Sequence, residues 1–265
     1  MNKQHIPIYL SLLFIVFVGT FFIFEFFAVT PKAEAPTITT PLSIATTTPL
    51  VFNVSDHHVG TYTRTEVDYP QFMGELEVLN APIATLITEG IKEHDKASME
   101  NWKARAETAD PRGSISDTPS QAELFPYHAT WSLMQFDAER VSVLVEYDEF
   151  SGGAHGSGGV HTFNYDLKQH RVVAIDDIVG GDISTLEKLS ADAIALLIEE
   201  RKRTLDESVL SPVEIQWIND GAGAKYENFE NFTIHGNRIT FYFSDYQVGP
   251  HAIGMPTITL PFPLQ

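Results

Sequence analysis

Residues 141–175, VSVLVEYDEFSGGAHGSGGVHTFNYDLKQHRVVAI, decide the predicted fold because they alternate between strands and tight connections. Apolar and β-branched side chains at nearly every second position before the loop indicate a half-buried strand. The glycine-rich loop at residues 151–159 either needs positive φ angles or lets another group approach its backbone closely. The strand after the loop has one apolar and one polar face, formed by His161, Phe163, Tyr165 and Leu167 and by Thr162, Asn164 and Asp166.

The same loop holds the first candidate for ligand binding, His155. Its glycines expose backbone amides, and such amides can bind a carboxylate, a sugar acetamido group or a protein main chain. In the alternative interpretation, the imidazole bonds to the backbone and only holds the loop in place. A second irregular segment, residues 244–256, carries further candidates. The predicted ligand-binding residues are Ser151, Gly152, Gly153, His155, Gly156, Tyr246 and His251.

Three segments carry a resemblance to known families. SGGAHG followed by FNYDLKQHRVVAIDDIV, and ITFYFSDYQVGPHAIGMPTITLPFP at residues 239–263, resemble Domain of Unknown Function 3298. TRTEVDYPQF at residues 63–72 resembles the partner domain usually found upstream, Domain of Unknown Function 4163. The resemblance implies an exported bacterial sensing or binding module without a settled activity. Its relatives include the outer part of lysozyme-sensing anti-sigma factors and a membrane peptidoglycan deacetylase, outside the catalytic domain of that enzyme.

Composition limits the partners. The 265 residues have a net charge of −18, which argues against a broad basic surface for nucleic acid or anionic lipid. The charge favours a basic partner such as a secreted lysozyme, although acidity also simply keeps proteins soluble. A hydrophobic content of 43% suits a folded core. The absence of cysteine excludes disulfides, thiolate metal ligands and a cysteine nucleophile.

The beginning of the chain predicts a membrane anchor. Residues 6–29 are almost wholly apolar and suit one transmembrane helix of about 20 residues, after a cytoplasmic tail at residues 1–5. A tail this short cannot hold a sigma factor, so only the outer module of the anti-sigma relatives is comparable. The alternative is a signal peptide cleaved at Ala33-Glu34-Ala35. Residues 30–49, rich in Thr and Pro, form an extended tether in either case, and the rest of the chain is exported.

The remaining chain predicts an α+β fold, with antiparallel sheets and helices packed on one face. Its two closely joined parts are residues 50–136, which resemble the upstream domain, and residues 137–265. Helices are predicted from Asn80 as N-cap to about residue 106, with a break near Gly90, and after capping boxes at Ser184 and Ser211. Tight turns join several neighbouring strands, so parallel βαβ units are predicted to be absent.

The sequence contains few motifs that indicate a metal site or a catalytic site. A metal site from His155, His161 and His251, with Asp148 or Glu149, matches no short zinc spacing. His161 is better explained as a buried, hydrogen-bonded core histidine than as a ligand. The sequence contains no nucleophile elbow, phosphate loop or dinucleotide fingerprint. We therefore predict a membrane-anchored binding module without catalytic residues, metal or cofactor, for cell-wall glycan or a wall-directed protein. The alternatives are a wall-acting enzyme that uses the glycine-loop histidines, and a structural envelope protein.

Overall fold

The structure, a computed structural model, describes residues 51–108 and 116–264. The predicted cytoplasmic tail at residues 1–5, the anchor at 6–29 and the tether at 30–49 lie outside this part of the chain. Within it, every helix is too short or too polar to cross a membrane. The described residues form an α+β fold in which antiparallel strand pairs predominate, as the sequence predicts.

Six strands form the first sheet, in the spatial order of the chain. The predicted border between residues 136 and 137 falls at the turn between two neighbouring strands of this sheet. The strands are β1 (Val51–Val59), β2 (Thr63–Phe72), β3 (Phe125–Phe136), β4 (Arg140–Glu149), β5 (Ser157–Asp166) and β6 (Arg171–Val172).

One strand pair corrects the prediction that parallel βαβ units are absent. β2 and β3 pair in parallel, whereas the other pairs of this sheet are antiparallel. A 3-10 helix at Gly74–Leu79 and the long helix α1, Asn80–Thr108, connect these two strands. A connection of this length returns the chain to the end of the sheet where β2 began, so β3 starts beside the start of β2. Tight turns elsewhere in the sequence gave no indication of this crossover.

Helix α1 differs from the prediction at Asn80 and at Gly90. Asn80 is not an N-cap, because it already has helical angles of φ −64° and ψ −45°. Its side-chain amide instead binds the backbone N–H and carbonyl of Phe72, each at 2.8 Å. The helix also continues through Gly90, where a Cβ atom would lie 2.3 Å from the hydroxyl oxygen of Tyr127. Gly90 therefore allows the helix to pack closely on β3 rather than breaking it.

The glycine loop is shorter than predicted. β5 begins at Ser157, so Gly158 and Gly159 are strand residues rather than loop residues. Tyr147, on the neighbouring strand, explains these glycines. A Cβ atom on Gly159 would lie 2.6 Å from the Tyr147 hydroxyl oxygen, and one on Gly158 would lie 2.9 Å from the Tyr147 carbonyl oxygen. Gly159 thus makes room for the aromatic ring and Gly158 for a backbone carbonyl, and such close approach is one of the roles glycine has inside strands.

A second, three-stranded sheet and three helices form the other layer. Its core contains Leu186, Phe229, Phe241 and Phe243, each fully buried. β9 pairs only with β8 among the described strands, so it lies at an edge of this sheet. The elements are α2 (Ile175–Val179), α3 (Ile183–Leu205), α4 (Pro212–Gly221), β7 (Phe232–His235), β8 (Arg238–Tyr242) and β9 (Thr257–Pro261).

The N-caps of these helices are partly as predicted. The capping box at Ser211 is confirmed, with Pro212 at the first position of α4. The capping box at Ser184 is wrong, because α3 begins at Ile183 and its N-cap is Asp182. The Asp182 carboxylate accepts from the Ser184 N–H at 3.1 Å. Asp and Ser have similar preferences for the N-cap position, so residue type alone does not distinguish Asp182 from Ser184.

A buried polar seam joins the two sheets. β7 lies across β3, β4 and β5, on the face opposite α1. There the Asn164 amide donates to the Phe232 carbonyl at 2.8 Å, and the Ile234 N–H donates to the Ser142 hydroxyl at 3.1 Å. Ser142 in turn donates to Asn164 at 2.6 Å. The polar face predicted for β5 is therefore covered by a strand whose outer backbone groups it satisfies.

Candidate functional site

The loop between β4 and β5 is held from two sides. The Asn101 side chain of α1 donates to the Ser151 carbonyl at 2.8 Å, and the Phe150 N–H donates to the Pro126 carbonyl at 3.0 Å. Gly152 and Gly153 have φ angles of 98° and 137°, a region that side chains other than glycine rarely adopt. The loop is therefore fixed at its base while residues 153–155 stay exposed.

Three of the predicted ligand-binding residues meet at the tip of this loop. The rings of His155 and His251 stack with centroids 4.2 Å apart and an interplanar angle of 11°. The Tyr246 hydroxyl lies 2.8 Å from Nε2 of His155. His155 thus forms one surface with two residues that follow it in the chain by 91 positions or more. With Asp245, described next, we call these residues the histidine–tyrosine cluster.

Asp245 holds part of the cluster in place through its hydrogen bonds, and it was not predicted from the sequence. One of its oxygens, Oδ2, lies 3.0 Å from Nδ1 of His251 and 3.1 Å from the backbone nitrogen of Gly158. Its side chain is only 10% exposed. The carboxylate therefore connects β5 to the segment that carries His251. Its position directly before Tyr246 was the only signal available in the sequence.

The partners of the imidazoles fix where their protons lie. The Gly156 carbonyl can only accept, so Nδ1 of His155, 2.7 Å away, carries a proton. In the neutral ring Nε2 is then an acceptor, and the Tyr246 hydroxyl donates to it. The Asp245 carboxylate likewise accepts from Nδ1 of His251. In the neutral form of His251, Nε2 carries the lone pair.

The segment that carries Tyr246 packs against α4. Tyr246 has a φ angle of 64°, and the indole N–H of Trp217 donates to its carbonyl at 2.7 Å. The Gln247 side-chain amide donates to the Gly221 carbonyl at 2.9 Å. A Cβ atom at Gly221 would lie 1.8 Å from the Gln247 carbonyl oxygen. This close contact with α4 sets the position of the cluster.

The other predicted ligand-binding residues lie in the loop around His155 and outside the cluster. Ser151 and Gly152 contact α1 and its neighbour Phe125, whereas Gly153 projects into open space. Gly156 is packed tightly, since a Cβ atom there would lie 2.7 Å from the Glu149 carbonyl oxygen. Of the predicted loop residues, His155 is the one whose side chain joins the cluster.

His161 lies outside the cluster. Its half-buried ring stacks on Tyr147 with centroids 5.9 Å apart, and burial lowers the pKa of its imidazole. Asp148 and Glu149 pair with His128 and His94 instead of approaching His155. Among the described residues, no group of three or more histidine or carboxylate side chains could hold a metal ion.

A second histidine–carboxylate pair lies in the interior and was also missed. His94 on α1 is fully buried, and its Nδ1 lies 2.8 Å from Oε2 of Glu149. Its Nε2 lies 3.4 Å from both the Phe125 carbonyl and the Ser98 hydroxyl. The signal was present in the sequence, because residues 83, 87, 94, 98 and 102 lie at helical spacing on the buried face of α1.

Burial around this pair also affects a neighbouring phenol. The Tyr127 ring lies 5.4 Å from the His94 ring and is almost fully buried. Removal from solvent, with a smaller contribution from the Glu149 charge, raises the pKa of Tyr127 to about 12. The phenol therefore stays protonated at any physiological pH, and this region has the character of a core.

Comparisons with known proteins agree with this fold. Residues 176–263 match the family model described as protein of unknown function DUF3298. A crystal structure of a DUF3298 family member from Bacteroides fragilis is 18% identical, with a TM-score of 0.56, over 81% of this chain and 91% of the other. A DUF3298 family protein from Pseudomonas aeruginosa is 15% identical, with a TM-score of 0.50, over the same shares.

One curated relative extends the comparison. The peptidoglycan-N-acetylmuramic acid deacetylase PdaC of Bacillus subtilis is 30% identical over 130 residues, which are 49% of this chain. This chain spans only 26% of the length of that protein. The resemblance of the upstream region to Domain of Unknown Function 4163 stays a prediction, as does the relation of the chain to anti-sigma factors. Asp245, Tyr246 and His251 all lie within residues 176–263, the segment that matches the DUF3298 family model.

Proposed function

We propose that this chain is a non-catalytic binding module for cell-wall glycan, and that the histidine–tyrosine cluster is its ligand site. The observation that carries the proposal is the stacked pair of His155 and His251 beside Tyr246, whose side chain is 44% exposed. A structural role alone leaves such an exposed set of rings unexplained, because exposed rings contribute little to a core.

The chemistry of the cluster suits a sugar. Ring faces pack against the C–H face of a pyranose, and polar ring edges supply hydrogen bonds to its hydroxyls. The backbone N–H groups of residues 153–155 have no acceptor among the described residues, and their loop is exposed. They are placed to bind an acetamido carbonyl. The name of the curated relative, which is said to act on peptidoglycan N-acetylmuramic acid, is consistent with this class of ligand.

We also propose that the chain is attached to the cell membrane. The apolar residues 6–29 anchor the chain in the cell membrane as a single span, and residues 30–49 hold the folded part outside it. The cluster then lies on the same side of the membrane as the wall. Membrane attachment is tested by fractionating cells that express the full chain. Recovery of the chain in the soluble fraction would refute it.

The binding test is calorimetric titration of the full chain, in mild detergent, with soluble peptidoglycan fragments. We expect His155→Ala to weaken binding at least about tenfold, the loss expected when one stacked and hydrogen-bonded ring is removed. His57→Ala is the matched control, because His57 is 56% exposed and lies on β1. Equal binding by His155→Ala and His57→Ala would refute the site. Absence of any glycan binding would refute the function.

A second candidate ligand is a basic wall-directed protein such as lysozyme. The net charge of −18 favours it, and exposed side chains of the first sheet place Glu66 and Asp148 on either side of His128. Binding through such carboxylates is steered by charge, so it weakens with salt. Lysozyme binding that disappears at moderate salt and survives His155→Ala would establish this candidate. Salt-independent glycan binding would favour the first.

A third candidate is an enzyme acting on the wall, and one observation favours it. Asp245 holds His251 with Nδ1 protonated, the arrangement that leaves Nε2 as a general base. The test is the release of acetate or new reducing ends from peptidoglycan, with His251→Gln as the inactive variant. Turnover that His251→Gln abolishes would establish catalysis. Glycan binding without turnover would exclude it for these substrates.

A further inference from the structure

A shallow depression lies along one side of α4, next to the cluster. Its volume is about 480 Å³, and it follows residues one helical turn apart. From Val213 to Asp220 it extends about 10 Å, because seven residues of helix rise 1.5 Å each. The lining residues are Pro212, Val213, Gln216, Trp217 and Asp220.

Trp217 connects this depression to the histidine–tyrosine cluster. Its indole ring lines the depression, and its N–H donates to the Tyr246 carbonyl at 2.7 Å. The ring is only half-buried, so it remains accessible. The depression therefore borders the segment that carries Tyr246.

The lining has the two kinds of group that recognise a saccharide. Pro212, Val213 and Trp217 form an apolar floor, and the Val213 side chain is 71% exposed. Beside them the Gln216 amide donates to the Asp220 carboxylate at 2.7 Å. That pair still offers acceptor oxygens to neighbouring hydroxyls. An apolar floor with a few fixed polar groups is the usual composition of a small-molecule site.

We propose that this depression is a second saccharide subsite, so that the ligand of the cluster is an oligosaccharide longer than a disaccharide. The inference rests on the proposed function, because the cluster supplies the first subsite. One end of the glycan lies on the stacked imidazoles, and its continuation lies on Trp217 along α4. The carboxylate of Asp220 makes neutral N-acetylated sugars better occupants of this subsite than acidic ones.

The test compares oligomers of N-acetylglucosamine with two and with four units, titrated into the full chain. We expect the longer probe to bind about tenfold more tightly, which corresponds to one additional stacked ring. Trp217→Ala should remove this gain, but it also removes the hydrogen bond to Tyr246. Val213→Glu is therefore the decisive variant, because it fills the depression from an exposed position without touching the cluster.

Val209→Glu is the matched control, since Val209 is 73% exposed and does not line the depression. We expect Val209→Glu to keep the gain with length, and Val213→Glu to lose it while its affinity for the two-unit probe is unchanged. Equal affinity of the wild-type chain for both probes would overturn the second subsite and leave the cluster as the ligand site. Failure of both probes to bind would overturn the second subsite for neutral sugars, and the titration with peptidoglycan fragments then decides the proposed function separately.

Discussion

Two histidine–carboxylate pairs in this chain have almost the same geometry and opposite surroundings. Nδ1 of His94 lies 2.8 Å from Glu149, and Nδ1 of His251 lies 3.0 Å from Asp245. The His94 side chain is fully buried, whereas the His251 side chain is 37% exposed. The first pair joins α1 to the end of β4, and the second supports an open surface. The contrast shows that such a pair does not by itself define a function, because the same geometry occurs in the core and at the surface.

The largest expected effect is at the buried pair. His94→Ala leaves a cavity beside Tyr127 and removes the imidazole partner of Glu149, so we expect a loss of about 2–4 kcal/mol in the free energy of unfolding. Urea denaturation of the full chain measures it. His57→Ala, at an exposed position, should change the stability by less than about 0.5 kcal/mol. Similar values for the two variants would break the comparison.

The next effect concerns the support of the exposed pair. A Cβ atom at Gly221 would lie 1.8 Å from the Gln247 carbonyl oxygen, so Gly221→Ala forces the segment away from α4. We expect a loss of about 1–3 kcal/mol from overpacking, together with weaker glycan binding because Tyr246 moves. Asn219→Ala on the same helix is the control. Full stability of Gly221→Ala would show that the segment is not held by α4.

A smaller change in stability is expected at the exposed pair itself. Asp245→Asn keeps an acceptor for His251 but loses the charge, so we expect a loss of roughly 1 kcal/mol. Glycan binding should nevertheless fall at least about tenfold, since the orientation of His251 depends on this carboxylate. Thermal unfolding and calorimetry on one preparation separate the two effects. A large loss of stability with unchanged binding would reverse the roles assigned to the two pairs.

The smallest effect is a pH dependence at a histidine of intermediate burial. Burial lowers the pKa of His161 in the folded chain, so the unfolded chain binds a proton more readily as the pH falls. The resulting stability is present above the unfolded pKa of about 6.5 and is lost as the pH falls below it. Between pH 7 and 5, wild-type stability should decline more steeply than that of His161→Phe. Parallel pH profiles would contradict this assignment.

Local patterns in the sequence predict the strands and the loop because each depends on neighbouring residues. Alternation at residues 141–147 and the glycines near His155 are such patterns. The contact between His155 and His251 was not visible, since it depends on how two distant segments fold against each other. Asp245 looked like any surface acid for the same reason. His94 is the exception, because its helical spacing already indicated burial.

The errors in the fold have the same origin. The parallel pairing of β2 and β3 depends on where α1 returns the chain, and turn residues carry no information about it. Asn80 has the residue type of a cap, but its amide is used by Phe72. Asn164 looked like part of a polar strand face, although it is buried against β7. In the last two cases a polar side chain has a backbone partner that only the tertiary structure reveals.

The buried seam between the sheets has a consequence for how the chain can be divided. Ser142 and Asn164, on the first sheet, complete the hydrogen bonds of Phe232 and Ile234 on the second. Separation of the two layers would leave backbone groups of β7 and polar side chains of β4 and β5 without partners at the same time. The segment that matches DUF3298 is therefore not expected to fold independently of the first sheet. A fusion or truncation that keeps residues 176–263 alone discards the surface on which its first strand is built.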